Sequence, residues 1–127
     1  MNSVLEEQII ISLGSNLGDR LNALYKALAL LEAYPISIKL LSKVYETPAW
    51  GFKGDPFYNA CVSIKTKLKP KDLLEVLLKV EKTMGRLPSK GKGYSSRTID
   101  LDLLFYKSKN IFSAKLKVPH PKFCCLL

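Results

Sequence analysis

The sequence is short of the features that mark several large protein classes. No run reaches the roughly 18 uncharged apolar residues that a membrane-spanning helix needs. The opening MNSVLEEQ carries acids where a secretory leader would carry bases. The chain is therefore expected to be soluble and cytoplasmic. Cysteine occurs three times, as Cys61, Cys124 and Cys125. An odd count whose only close pair is adjacent in sequence excludes a disulfide framework and a CxxC zinc ligand set. Repeats, low-complexity tracts and linkers are absent as well, so the 127 residues, 47% of them apolar, are expected to form one domain with its own core. Acids are scarce, with 11 Asp and Glu against 20 Lys and Arg and a net charge of +9. That balance favours an anionic partner, whether nucleic acid, a membrane surface or a small polyphosphate, and charge alone does not choose among them.

What is present reads as alternating strands and helices. The apolar run from Ile9 to Leu13 predicts a strand, broken at Gly14-Ser15-Asn16 and followed by helical spacing at Leu21, Leu24, Leu28 and Leu31. Asp19 is placed to cap that helix, and Tyr34-Pro35 to stop it. ISIKLLSKVY, from Ile36 to Tyr45, predicts a second strand, and PAWGFKGDP a loop. In FYNACVSIKTKL the alternation sets Phe57, Asn59, Cys61 and Ser63 on one face and the more apolar Tyr58, Ala60, Val62 and Ile64 on the other. Pro70 opens a second amphipathic helix through Leu73, Leu74, Leu77, Leu78 and Val80 that ends near Gly85. The polar stretch RLPSKGKGYSS then leads into a last strand. The order β-α-β-β-α-β predicts an α+β, ferredoxin-like sandwich: an antiparallel sheet with helices over one face and the other face open.

The last strand, within SSRTIDLDLLF, carries the clearest chemical signal. Asp100 and Asp102 are two residues apart, so they share a strand face with Cα atoms about 6.5 to 7 Å apart, while Ile99, Leu101 and Leu103 fill the other. Aspartate is unfavourable in strands, and two of them converging either raise each other's pKa or need a cation, unless both simply sit on a solvated face neutralised by basic residues. Mg²⁺ prefers carboxylate oxygens together with substrate phosphates. Arg97 just ahead of the pair, and Arg86 across the glycine-bearing loop, could reach phosphate oxygens. The one histidine, His120, sits between two prolines in KVPHPKF. GSNLGD lacks both the Lys-Ser/Thr of a phosphate-binding P-loop and the GxGxxG spacing, and a strand-to-helix turn accounts for its glycines. Trp50, the only tryptophan, is bracketed by Pro48 and Gly51. It is either a loop aromatic packed on the core or one wall for a flat ring, with Phe57 opposite and Asn59 able to donate and accept hydrogen bonds.

Taken together and in order, GSNLGD, YETPAWG, FYNA, EKTMGR, SSRTIDLDLLF and VPHP resemble the 6-hydroxymethyl-7,8-dihydropterin pyrophosphokinase family over residues 9 to 121. The resemblance implies a diphosphotransferase of folate biosynthesis that moves the β,γ-pyrophosphoryl group of ATP to the pterin hydroxymethyl group and releases AMP. It implies two Mg²⁺ ions held by Asp100 and Asp102, and a pterin pocket made by Thr47, Pro48, Trp50, Phe57 and Asn59. Arg86, Arg97 and His120 would hold the triphosphate, with Leu103 near the adenine and Lys115 near the sugar. Arg86 and Arg97 join the two aspartates as the catalytic set, and Glu81 matches a family motif position in the second helix. The loop from Leu87 to Ser96 corresponds to a lid that brings Tyr94 over the substrates. Within it, Pro88, Tyr94 and Ser95 depart from the residues usual in the family.

After VPHP the family continues with an arginine-containing turn and a strand, whereas this sequence ends at KFCCLL. A single catalytic domain over residues 1 to 127, short at its C-terminal end, is the expectation, with ATP and the pterin as partners, no nucleic acid or membrane partner, and a monomeric state. The alternative from another class is a ferredoxin-like RNA-binding module that uses the open sheet and the positive charge. Such a sheet should present aromatics where RTIDLDLLF places acids.

Overall fold

The computed structural model describes residues 8–48, 54–85, 98–107, 111–112 and 117–118. The apolar run at residues 9–13 forms strand β1, which continues to Ser15 (Ile9–Ser15), and helix α1 (Arg20–Glu32) follows. The expected cap is in place: Asp19 Oδ1 accepts from the backbone N–H of Asn22 at 3.0 Å, satisfying one of the otherwise free N–H groups of the first turn. Next come β2 (Ile36–Leu41), β3 (Tyr45–Thr47), β4 (Phe57–Thr66), helix α2 (Pro70–Thr83) and β5 (Asp100–Tyr106). A separate two-stranded sheet joins β6 (Ile111–Phe112) and β7 (Lys117–Val118).

The main sheet runs β2-β4-β1-β5, with β3 also paired to β4, and each of these pairs is antiparallel. Each helix connects two strands that are not neighbours, α1 linking β1 to β2 and α2 linking β4 to β5, with one strand lying between them in the sheet. This is the α+β, ferredoxin-like arrangement that the order of elements predicts. Ile9, Ile11 and Leu13 of β1, Ala60, Val62 and Ile64 of β4, and Leu101 and Leu103 of β5 pack with Leu24, Ala27 and Leu31 of α1 and with Leu73, Leu77 and Val80 of α2. Burial of each large apolar side chain in that layer contributes about 1.5–3 kcal/mol. Strand alternation then turns Ser12, Gly14, Asn59, Cys61, Asp100 and Asp102 to the opposite face.

Three details differ from the pattern read in the sequence. The helix stripes are rotated: Leu21 and Leu78 are exposed, and Ala23, Ala27 and Val76 are buried in their place. Small alanines let α1 sit close to the sheet, which a count of leucines does not anticipate. The single strand expected over residues 36–45 is two strands, interrupted at residues 42–44. At the break Ser42 substitutes for regular pairing, its N–H donating to the Cys61 carbonyl at 2.8 Å and its Oγ accepting from the Cys61 N–H at 2.7 Å. Finally, Gly14 is not a turn residue. It lies within β1, and the turn glycine is Gly18, whose φ of 66° suits a residue without a Cβ.

Candidate active site

Register across the three adjacent strands β4, β1 and β5 assembles the site. Gly14 of β1 is opposite Asn59 of β4 on one side and opposite Asp100 of β5 on the other. One step along, Ser12 is opposite Cys61 and Asp102. Residues directly opposite in a sheet share a face, so these two rows place Asn59 and Cys61 on one flank, the aspartate pair on the other, and the small Gly14 and Ser12 between them. Two strand spacings separate Asn59 from Asp100, roughly 10 Å. The result is a strip of sheet face, a trough, whose middle row carries only the small residues Gly14 and Ser12.

On the β4 flank the polar contacts are specific. Asn59 Nδ2 donates to Thr47 Oγ1 at 2.8 Å and to the Phe57 carbonyl at 3.3 Å. Both amide protons are thereby engaged, which leaves the side-chain oxygen as the group offered to the trough. That oxygen is an acceptor suited to a ring N–H or amino group. Phe57 is only 9% exposed, Thr47 is half-buried and Pro48 is exposed. β3 and β4 thus bring together Thr47, Phe57 and Asn59, three of the residues expected in a pterin pocket. A Cβ on Gly14 would come to 3.1 Å from Asn59 Oδ1 and 3.5 Å from Phe57 Cδ1. The glycine is therefore needed for close approach rather than for a turn. Its signal in the sequence was the strand alternation, which continues from Leu13 through Ser15.

Glu46 on one side, and Asp55 and Pro56 on the other, are tied to Asn16 and Arg20 between β1 and the first turn of α1. Arg20 Nη1 donates to the Pro56 carbonyl at 2.8 Å and stands 3.5 Å from Glu46 Oε2, and its guanidinium lies 3.8 Å from the centroid of the Tyr58 ring. Asn16, 1% exposed, donates through Nδ2 to the Asp55 carbonyl at 3.1 Å. These contacts fix the backbone immediately before Phe57. Neither residue was expected at the site, since each acts through backbone carbonyls far away in sequence.

Beside Cys61 on the same sheet face, the Tyr45 hydroxyl is buried, with the Cys61 thiol as its weak hydrogen-bonding neighbour. Burial, with the Cys61 thiol nearby, pushes its pKa up to about 12. Burial likewise pushes the Cys61 thiol up, which makes it a poor nucleophile at neutral pH.

On the β5 flank Asp100 and Asp102 are half-buried and lie on the trough face, while Leu101 and Leu103 face the helices. Leu103 is 2% exposed, so a nucleotide beside it would meet its backbone rather than its side chain. The Leu101 N–H donates to Glu81 Oε2 of α2 at 2.8 Å. No cluster of three or more His, Cys, Asp or Glu that could enclose a metal ion occurs among the described residues. A cation here would take its remaining ligands from phosphate and water, as Mg²⁺ commonly does. Trp50, Arg86, Tyr94, Arg97, Lys115 and His120 lie outside the described residues.

Residues 10–125 match the model of the 7,8-dihydro-6-hydroxymethylpterin-pyrophosphokinase family. The chain belongs to this family. It is 40% identical over 117 residues to the 2-amino-4-hydroxy-6-hydroxymethyldihydropteridine pyrophosphokinase of Porphyromonas gingivalis, covering 90% of this chain and 80% of that protein. The enzyme of the same name from Aquifex aeolicus is 42% identical over 114 residues, 89% of this chain and 69% of its own length. A folate synthesis bifunctional protein of Arabidopsis thaliana is 45% identical over 117 residues, and the chain spans only 24% of its length. An RNA-binding function finds no support in these relatives, and the open face of β5 carries acids where that function calls for stacking aromatics.

Proposed function

We propose that the chain transfers the β,γ-pyrophosphoryl group of ATP to the hydroxymethyl group of 6-hydroxymethyl-7,8-dihydropterin and releases AMP, with Asp100 and Asp102 holding two Mg²⁺ ions against the triphosphate. The coarser statement, an ATP-dependent pterin pyrophosphokinase of folate biosynthesis, follows from family membership. The observation that carries the finer one is the shared row Asn59–Gly14–Asp100, which sets a hydrogen-bonding amide and a carboxylate on opposite sides of a floor without a side chain. The donor set fits Mg²⁺, since both candidate ligands are hard carboxylate oxygens on one strand face and leave room for phosphate oxygens.

In this mechanism the chain chiefly positions its substrates. Asn59 Oδ1 accepts from the pterin edge, Thr47 and the Phe57 carbonyl keep the amide from turning over, and Phe57 and Trp50 wall the ring. Held there, the hydroxymethyl oxygen points across Gly14 toward the β-phosphorus. It forms the new O–P bond as the bond from that phosphorus to the α,β-bridging oxygen breaks, and the bridging oxygen departs with AMP while the hydroxyl proton is released. Bound Mg²⁺ would neutralise charge on the triphosphate and on the departing oxygen. Arg86, Arg97 and His120 add positive charge at the phosphates, Lys115 meets the sugar, and Tyr94 closes the lid. These last roles rest on the family motifs at those positions. Action as a cytoplasmic monomer completes the proposal.

The nucleotide product tests it. Incubation of the protein with Mg²⁺, ATP and the pterin is expected to yield AMP in step with pyrophosphorylated pterin. ADP as the product would mean transfer of the γ-phosphoryl group alone and would overturn this mechanism.

A further inference from the structure

We propose that Glu81 is a positioning residue for the Asp100–Asp102 pair, acting through the backbone of Leu101; the inference rests on the assignment of those two aspartates as metal ligands. Among the described residues β5 stands at the end of the main sheet, paired with β1. A strand paired on one side needs other partners for the N–H and C=O groups of its second row. The Leu101 peptide lies between the two aspartates, and its N–H donates to Glu81 Oε2 at 2.8 Å. Holding that N–H fixes the peptide unit joining Asp100 to Leu101, and with it the direction in which each flanking carboxylate leaves the strand.

Glu81 is well placed to act as a rigid anchor. It is 4% exposed on α2, the helix whose Leu73, Leu77 and Val80 are locked into the core. Burying a carboxyl group costs several kcal/mol unless strong hydrogen bonds offset it. An apolar residue at this position would extend the buried stripe of α2 without that cost. A buried carboxyl group that accepts from the peptide between the two aspartates can hold their geometry. Groups that orient metal ligands from behind typically alter metal affinity or activity by about 10–100-fold when removed.

The test compares Glu81→Ala with Glu81→Gln in the full chain. Glutamine keeps an oxygen acceptor at the same distance, and alanine does not. Hydrogen exchange of the Leu101 amide, measured without metal or nucleotide, should be fast in Glu81→Ala and remain slow in Glu81→Gln. The Mg²⁺ concentration for half-maximal binding of α,β-methylene-ATP, measured by calorimetry, should rise about tenfold in the alanine variant and stay near the original value in the glutamine variant. Pterin affinity should be unchanged in both. An alanine variant with the original Mg²⁺ requirement would overturn the proposal. So would a glutamine variant that protects the Leu101 amide yet needs more Mg²⁺, because charge rather than geometry would then be responsible. Should alanine prevent folding, the glutamine variant decides alone. Failure of the unaltered protein to make AMP would count against the proposed reaction, whereas the exchange and calorimetric results bear on Glu81 itself.

Discussion

A methyl group on Gly14 would stand 3.1 Å from the side-chain oxygen of Asn59. The Asn59 amide cannot swing away freely, because its nitrogen is bonded to Thr47 Oγ1 at 2.8 Å. Gly14→Ala should therefore turn the oxygen out of place or strain the strands, at a stability cost of about 1–3 kcal/mol. Pterin affinity should fall about tenfold for each 1.4 kcal/mol carried into binding, with ATP affinity much less affected. Calorimetry with each substrate, beside thermal unfolding, measures both effects, and unchanged pterin affinity would show that the trough tolerates a filled floor.

Removal of the amide itself should be equally selective. In Asn59→Ala the pterin edge loses its acceptor while the phosphate flank remains intact, and leaving a buried polar group unsatisfied costs about 1–3 kcal/mol. Pterin binding should weaken accordingly, with ATP binding close to that of the unaltered protein. Equal losses for the two substrates would reject the pocket assignment.

Asp100→Ala and Asp102→Ala should each lower Mg²⁺-dependent AMP formation by more than about a hundredfold, the upper end of the effect of removing groups that merely support a ligand. The fold should survive, since both side chains lie on the face opposite the core. Circular dichroism checks the fold and nucleotide chromatography the product. Full activity in either variant would remove that residue from the metal site.

Tyr45 predicts a pH dependence. Its phenol is raised from 10.0 to about 12 by burial, so the folded state favours the neutral form. The stability this contributes is fully present below pH 10 and is lost as pH rises from there toward about 12. Denaturant unfolding at a series of alkaline pH values should show a shallower decline for Tyr45→Phe than for the unaltered protein across that window. Parallel declines would mean that the phenol titrates alike in the folded and unfolded chains.

Much of this arrangement was legible before folding was considered. Alternation alone put Asp100 and Asp102 on one face and Asn59 on the face away from the core, because a period of two survives wherever a strand is regular. Asp19 and Pro70 marked helix starts through local chemistry. Contacts set by tertiary packing were hidden. Nothing near Leu101 in sequence announces Glu81 as its partner, and nothing near Asp55 or Pro56 announces Asn16 or Arg20. The interruption at residues 42–44 was equally silent, since no glycine or proline marks it and the bridging group is the hydroxyl of one serine. Gly14 reads as a turn residue in sequence because its purpose lies in Asn59 and Phe57, neighbours contributed by another strand.

That interruption bears on behaviour at high concentration. Leu40, Leu41 and Val44 are exposed beside it, and an uninterrupted strand from Ile36 to Thr47 would offer neighbouring molecules a long, straight, greasy border on which to add strands. With Ser42 closing the gap against Cys61, that border is cut into one segment of 6 residues and another of 3, each a poor template for a foreign chain. The same hydroxyl that completes the ladder thus also works against aggregation.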